Sequence, residues 1–341
     1  MKKILMAAVL AGLTSVATAQ TRVYGLADAY VGQTTGKQTT TQVSSGGMST
    51  SHFGITATEN IGNGMKASAV LETFWRPDTG VPGRFNGDAF WARNAYVSLA
   101  GKASEVQLGR ITSPYFISTI VFNAFGDSSV FSPIFSQRYG ANNYNLASGG
   151  TDSGWNNSVL VKTKVQGLNL TGVYSPGITD DTTGTKQSGR SLGAMYFAGP
   201  VGLTATWQDV DQGPGRHNLT SAIVGGSYDA KVAKFFAQWD RVHNSDTVTK
   251  EDRGYTVGAS MKLPGTANTI MASYAKYDHT FADNRSAETS TWALGVTHQL
   301  SKRTDVYAAV RDTSYTNDGV NRTNVAWGDT RVTGLGIRHR F

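Results

Sequence analysis

The feature that most limits what this chain can fold into is a two-residue alternation of polarity, repeated in short segments along most of its length. Leu203, Ala205 and Trp207 alternate with Gly202, Thr204, Thr206 and Gln208, and Trp292, Leu294 and Val296 alternate with Thr291, Ala293, Gly295 and Thr297. Tyr255, Val257, Ala259 and Met261 stand against Thr256, Gly258, Ser260 and Lys262, and Val159, Val161 and Val165 against Ser158, Lys162 and Lys164. Successive side chains of a strand point to opposite faces, so each segment offers one apolar face and one face of small polar residues and isolated charges. A soluble sandwich alternates too, but it needs bulky residues to fill a core and more charge outside. Here only 16% of residues are charged and 39 are glycine, which suits a wet lumen better than a soluble surface. No stretch after the amino terminus is long and apolar enough for a helical membrane span.

The connections take turns in kind. Short ones are Gly62-Asn63-Gly64, Gly101 to Ser104, Gln166-Gly167, Gly199-Pro200, Asp229 to Lys231, Pro264-Gly265 and Ser301 to Thr304, all of hairpin composition. Between them fall long polar ones: Thr35 to Thr50, Pro77 to Asp88, Thr112 to Gly150, Gly177 to Gly189, Asp211 to His217, Asn244 to Glu251, Phe281 to Glu288 and Thr316 to Gly328. Seven short turns interleaved with eight long loops join sixteen strands. An even-numbered antiparallel sheet with turns at one rim and loops at the other is the plan of an outer-membrane barrel. Hydrocarbon cannot satisfy the backbone groups of an open edge, so a spanning sheet must close. The expected fold is therefore all-β, a 16-stranded antiparallel transmembrane β-barrel, with Tyr30, Trp75, Trp91, Tyr196, Trp207, Tyr228, Trp239 and Trp292 forming interfacial girdles.

Residues 1–19 carry a separate message. Lys2 and Lys3, the apolar run Ile4 to Leu13 and the small-x-small site Ala17-Thr18-Ala19 read as a cleaved signal peptide, leaving 20–341 as the barrel. Loss of Lys2 and Lys3 turns 31 basic against 24 acidic residues, a net +7, into +5. The chain has no cysteine, so thiolate metal sites and cysteine nucleophiles are excluded.

Leu335, Ile337, His339 and Phe341 share one face of the last strand, opposite Gly334, Gly336, Arg338 and Arg340. Taken with Val23-Tyr24-Gly25 and the following Asp28, Arg93 to Leu99, Val106 to Arg110, Asn157 to Val159 and Gly336 to Phe341, the chain resembles the trimeric general porins of Gram-negative bacteria, especially their β-proteobacterial branch. The resemblance spans essentially all of residues 20–341. It implies a homotrimer, contact with outer-membrane lipid and lipopolysaccharide, a third loop folded into the lumen, and a terminal Phe341 that acts as the signal read by the barrel-assembly machinery.

The longest connection, about 112–150, fits that inserted loop. Tyr115, Phe116, Ile117, Ile120, Val121, Phe122, Phe125, Phe131, Ile134 and Phe135 require burial, so the segment must pack on something. Asn123-Ala124-Phe125-Gly126-Asp127 resembles the Pro-Glu-Phe-Gly element of porin constrictions, with Ala124 at the acidic position. Asp127 is left as the only acidic residue between Thr112 and Gly150. The resemblance places Arg93 on the facing basic wall, puts His52 at a position usually held by Arg, and offers Arg138 as a third member. Arg311 faces inward if Val306, Ala308 and Val310 face lipid, and Lys162 and Lys164 line the lumen by the same logic. Asp28 is assigned to the lumen as well.

The function that follows is passive diffusion of small hydrophilic solutes, neutral or anionic, with a preference for anions. No cofactor and no metal site is expected. The six histidines are scattered without a nearby Ser or Asp at catalytic spacing, which disfavours a barrel enzyme. Export and the lack of a basic run disfavour nucleic-acid binding. A substrate-selective channel is the alternative within the same fold.

Overall fold

The structure, a computed structural model, describes residues 20–139, 152–179, 186–211, 217–243, 249–317 and 329–341. The expected leader 1–19 and the last part of the third connection lie outside the described residues, as do segments of four other long loops. The strands are β1 (Gln20–Thr35), β2 (Thr39–Ser45), β3 (His52–Gly62), β4 (Met65–Arg76), β5 (Val81–Pro82), β6 (Asn94–Ala100), β7 (Ser104–Thr112), β8 (Gly154–Val165) and β9 (Leu168–Thr179). They continue as β10 (Lys186–Ala198), β11 (Val201–Asp211), β12 (Leu219–Asp229), β13 (Lys234–His243), β14 (Thr249–Lys262), β15 (Asn268–Phe281), β16 (Ser286–Gln299), β17 (Thr304–Asn317) and β18 (Thr330–Arg340).

These segments form a closed sheet. β3 pairs with the first half of β1 and β2 with its second half, so β2 and β3 are two pieces of one stave. β5 touches only the end of β4, through Trp75↔Pro82 and Arg76↔Val81. What remains is sixteen antiparallel staves, closed by β1 on β18 from Leu26↔Arg340 to Thr35↔Arg331. The backbone of Phe341 adds a last rung, exchanging hydrogen bonds of 3.1 and 3.0 Å with Gly25.

Every short turn named from sequence falls between two strands. Gly62, Asn63 and Gly64 adopt φ of 90°, 52° and 75°, and Gln166-Gly167 adopts 47° and 86°, the left-handed geometry that two-residue hairpins need to match strand twist. The long connection 35–50 differs from expectation. Thr39–Ser45 is a strand rather than loop, because its threonines and Val43 continue the ladder with β1 from Ala29↔Ser45 to Thr35↔Thr39. Phe281 to Glu288 likewise shortens to a tight turn between β15 and β16, with Asn284 at φ 64°.

The barrel is inside out relative to a soluble protein. Leu203, Trp207, Leu294 and Val257 are exposed while Thr204, Thr206, Gln208 and Thr291 are buried. Tyr196, Tyr228 and Phe235 point outward near the turn rim, and Trp207, Trp239, Tyr255 and Trp292 near the loop rim, giving two aromatic belts. Tyr30 is a correction to the expected girdle: it shares the inner face with Asp28 and meets Phe131 edge-on at a centroid distance of 6.0 Å. Its neighbours Gly32 and Gly334 leave room for that ring, since a Cβ at Gly32 would fall 2.4 Å from it.

Candidate functional site

The third connection crosses the barrel interior. It begins with helix α1 (Pro114–Val121), started by Ser113, whose Oγ accepts from Phe116 N at 3.2 Å, and by Pro114 in the first turn. Asn123 ends the helix: Nδ2 donates to the carbonyls of Thr119 and Gly126 at 2.6 and 2.9 Å, and Oδ1 accepts from Phe125 N. Phe125 and Phe131 are then buried against Met271, Ala293, Tyr307 and Val332 of the inner wall. Helix α2 (Pro133–Tyr139) follows. Of the apolar residues that demanded burial in sequence, Tyr115, Phe122, Phe125, Phe131, Ile134 and Phe135 find it here, on the barrel's inner surface, whereas Phe116, Ile117 and Ile120 are half-buried and Val121 is exposed.

A second inward segment holds the loop from the other side. The Asp28 carboxylate accepts from the backbone amides of Gly47, Met48 and Ser49 at 3.1, 2.9 and 2.8 Å and from Tyr307 Oη at 2.6 Å. This draws residues 46–51 into the barrel between β2 and β3. Ser128 Oγ then donates to Gly47 O at 2.7 Å, and Ser49 Oγ donates to Asp127 at 2.8 Å. Asp28 is thus a correction to the expected lumen charge: at 0% exposure it organises backbone instead of facing solute.

Arg138 is corrected for a similar reason. It is 4% exposed, and its Nε donates to Asp240 while its guanidinium lies 4.5 Å from the Tyr277 ring centroid and 3.6 Å from Asp252. Tyr115 and Tyr277 also donate to Asp240, at 2.9 and 2.5 Å, and His279 Nδ1 lies 2.6 Å from Asp252. Burial works against the charge on Arg138, but Asp240 outweighs it and keeps the guanidinium protonated. The cluster fastens the loop to β13, β14 and β15 and leaves Arg138 no access to the channel.

Arg93, Asp127 and Lys162 do converge. All three border one cavity of about 390 Å³ between α1 and the wall of β6 to β10. Arg93 lies one residue before β6 rather than on it, with Nη1 2.6 Å from Glu72 Oε2. Lys162 Nζ is 2.8 Å from Glu105 and stays half-exposed. His52 opens β3 within electrostatic range of Arg93, Glu72 and Asp127, its Nδ1 3.0 Å from Thr50 O. Arg311 faces inward, as the alternation of β17 requires, and donates to Val130 O of the loop at 2.6 Å. Lys164 is exposed near the turn rim, on the inward parity of β8.

Sequence reading missed three groups. Arg84 and Arg110 clamp Asp152 at 2.6 and 2.5 Å. Burial of Asp152 favours its neutral form, yet the two guanidiniums prevail and hold its carboxyl down to about 2. Arg338 and Arg340 both meet Asp305, at 3.2 and 3.1 Å, and Arg338 also donates to Ser49 Oγ at 2.8 Å. Glu72 is the third, accepting from Tyr24 Oη at 2.7 Å, from Arg93 and from Asn94 Nδ2. The parity of β18 already put Arg338 on the inner face, whereas Arg84 and Asp152 sit in irregular loops with no period to read.

A closed antiparallel barrel with an apolar outside, an inserted loop and a charged inner wall is a membrane channel. The chain belongs to the Gram-negative porin family, whose family model matches residues 7–318, and it is an outer-membrane porin, a passive channel. It is 28% identical to the outer membrane porin protein 32 of Delftia acidovorans and 24% identical to an outer membrane porin protein of Bordetella pertussis, each over 100% of both chains. Its fold matches that of an anion-selective porin from Comamonas acidovorans with a TM-score of 0.77 and 24% identity, covering 95% of this chain and 100% of that one.

Proposed function

We propose that the channel prefers anions over cations and that Arg93, Lys162 and Arg311, with His52, supply the positive side of its constriction while Asp127 supplies the negative side. The observation that carries this is the pairing of the inner carboxylates. Glu72 is met by Arg93 and Glu105 by Lys162, while Asp152 and Asp305 are each met by two arginines. Arg311 bonds a carbonyl. At the cavity the cation is the more exposed partner of each pair, Arg93 at 30% against Glu72 at 8% and Lys162 at 45% against Glu105 at 22%, and between low-dielectric walls positive charge turned to the lumen raises the local concentration of anions. The anion selectivity named for the Comamonas porin agrees with this reading.

Three such barrels assembling as a homotrimer, recognition of Phe341 by the barrel-assembly machinery, and lipopolysaccharide against the outer wall complete the proposal. Diffusion through it requires no catalysis. Recording of purified protein in planar bilayers under a KCl gradient tests it. A reversal potential on the chloride side, with conductance steps in groups of three, is expected; a potential on the potassium side overturns the anion preference.

A further inference from the structure

Helix α1 turns Pro114, Tyr115, Ser118 and Thr119 to the inner wall. Ser118 and Thr119 are 0% exposed, with Ser118 Oγ bonded to Thr204 and Thr206 at 2.9 and 2.8 Å and its carbonyl accepting from Gln238 Nε2 at 2.8 Å. Phe116, Ile117 and Ile120, spaced for one face of a helix, instead border the 390 Å³ cavity. Phe116 also meets the Phe135 and Tyr139 rings edge-on, at centroid distances of 5.9 and 5.1 Å, while Ile117 and Ile120 stay half-buried at the cavity; an apolar wall of this kind in a small-molecule-sized space is the usual mark of a binding surface. Arg93 and Lys162 border the same cavity, both partly exposed, and Asp127 borders it as the one carboxylate among the described residues.

We propose that this cavity is a subsite for amphiphilic monoanions, small carboxylates carrying an aromatic or branched aliphatic body. The body lies on Phe116, Ile117 and Ile120 while the carboxylate faces Arg93 and Lys162. Asp127 repels a second negative charge, which disfavours dicarboxylates. The inference rests on the anion-channel reading and narrows its solute class. Occupancy there is brief and slows passage instead of blocking it permanently.

The test uses the full-length porin in planar bilayers with phenylacetate, acetate and the neutral 2-phenylethanol as probes, alongside the reversal potential in KCl. Phenylacetate should interrupt the chloride current and saturate with concentration, where acetate and 2-phenylethanol at equal concentration do not. The double variant Ile117→Asn, Ile120→Asn should raise the half-interrupting concentration about tenfold, the change expected from losing two apolar contacts. Should that variant assemble poorly, Ile120→Thr alone should raise it about threefold, a smaller loss of apolar contact. A chloride-side potential with equal effects of phenylacetate and acetate overturns the subsite and leaves the anion preference standing. A potassium-side potential overturns the anion preference, whatever the probes do. Interruptions by phenylacetate that both variants leave unchanged would also overturn the assignment to α1.

Discussion

Arg93 Nη1 lies 2.6 Å from Glu72 Oε2, so the arginine facing the third loop is already half of an ion pair. The carboxylate is 8% exposed and the guanidinium 30%, which leaves the cation the more available of the two to a passing ion. The pair carries no net charge but sets a field direction, with the positive end toward the cavity.

Substitutions at the two ends of that pair should act oppositely on selectivity. Arg93→Ala exposes Glu72 and should move the reversal potential toward cations; Glu72→Gln frees Arg93 and should move it toward anions. Reversal potentials in a tenfold KCl gradient check both, and equal shifts of the same sign would remove Arg93 from the constriction.

Removing the counter-charge of Arg138 should loosen the loop. Asp240→Asn leaves a guanidinium at 3% side-chain exposure without its main partner, and breaking a buried pair costs about 3–5 kcal/mol. The double variant Arg138→Met, Asp240→Asn should lose less, since the amide oxygen still accepts from Tyr115 and Tyr277 and Asp252 keeps His279 beside it. Thermal unfolding of the barrel, followed by heat-dependent electrophoretic mobility, orders the two variants.

Acid should release the Arg84–Asp152–Arg110 clamp late. The Asp152 carboxyl in the folded protein sits at about 2, below its ordinary 3.8, so its contribution is complete above about pH 4 and is lost as pH falls through about 2. Conductance and stability in wild type should thus hold between neutral pH and about pH 4 as far as this clamp is concerned. Asp152→Asn should mimic the low-pH state at neutral pH, measured as limited proteolysis of the loop 77–93 at pH 7.

Closure at the last strand should tolerate no side chain at Gly25. A Cβ there would lie 2.4 Å from the Phe341 ring and 2.7 Å from His52 O, so Gly25→Val should lower the yield of folded barrel in the outer membrane. Deleting Phe341 removes the rung itself and should lower it further. Normal yield from the deletion would remove both the closing rung and the proposed assembly signal from consideration.

The alternation of Leu203, Ala205 and Trp207 against Thr204 and Thr206 determined by itself which way each stave faces, because strand geometry couples neighbouring residues to opposite sides. Turn residues such as Asn63 and Gly167 determined the hairpins for an equally local reason, their left-handed backbone. Arg311 was legible on the same grounds. Arg138 was not: its fate depends on Asp240, 102 residues away, and on how a loop with no repeating period lies across the wall. Asp28 was misread likewise, since the amides that bind it belong to a segment whose polar sequence resembled an ordinary outer loop. Periodicity assigns a residue to a face, and only the three-dimensional packing of the inserted loop decides whether a charge on that face meets solute or is consumed in holding the loop in place.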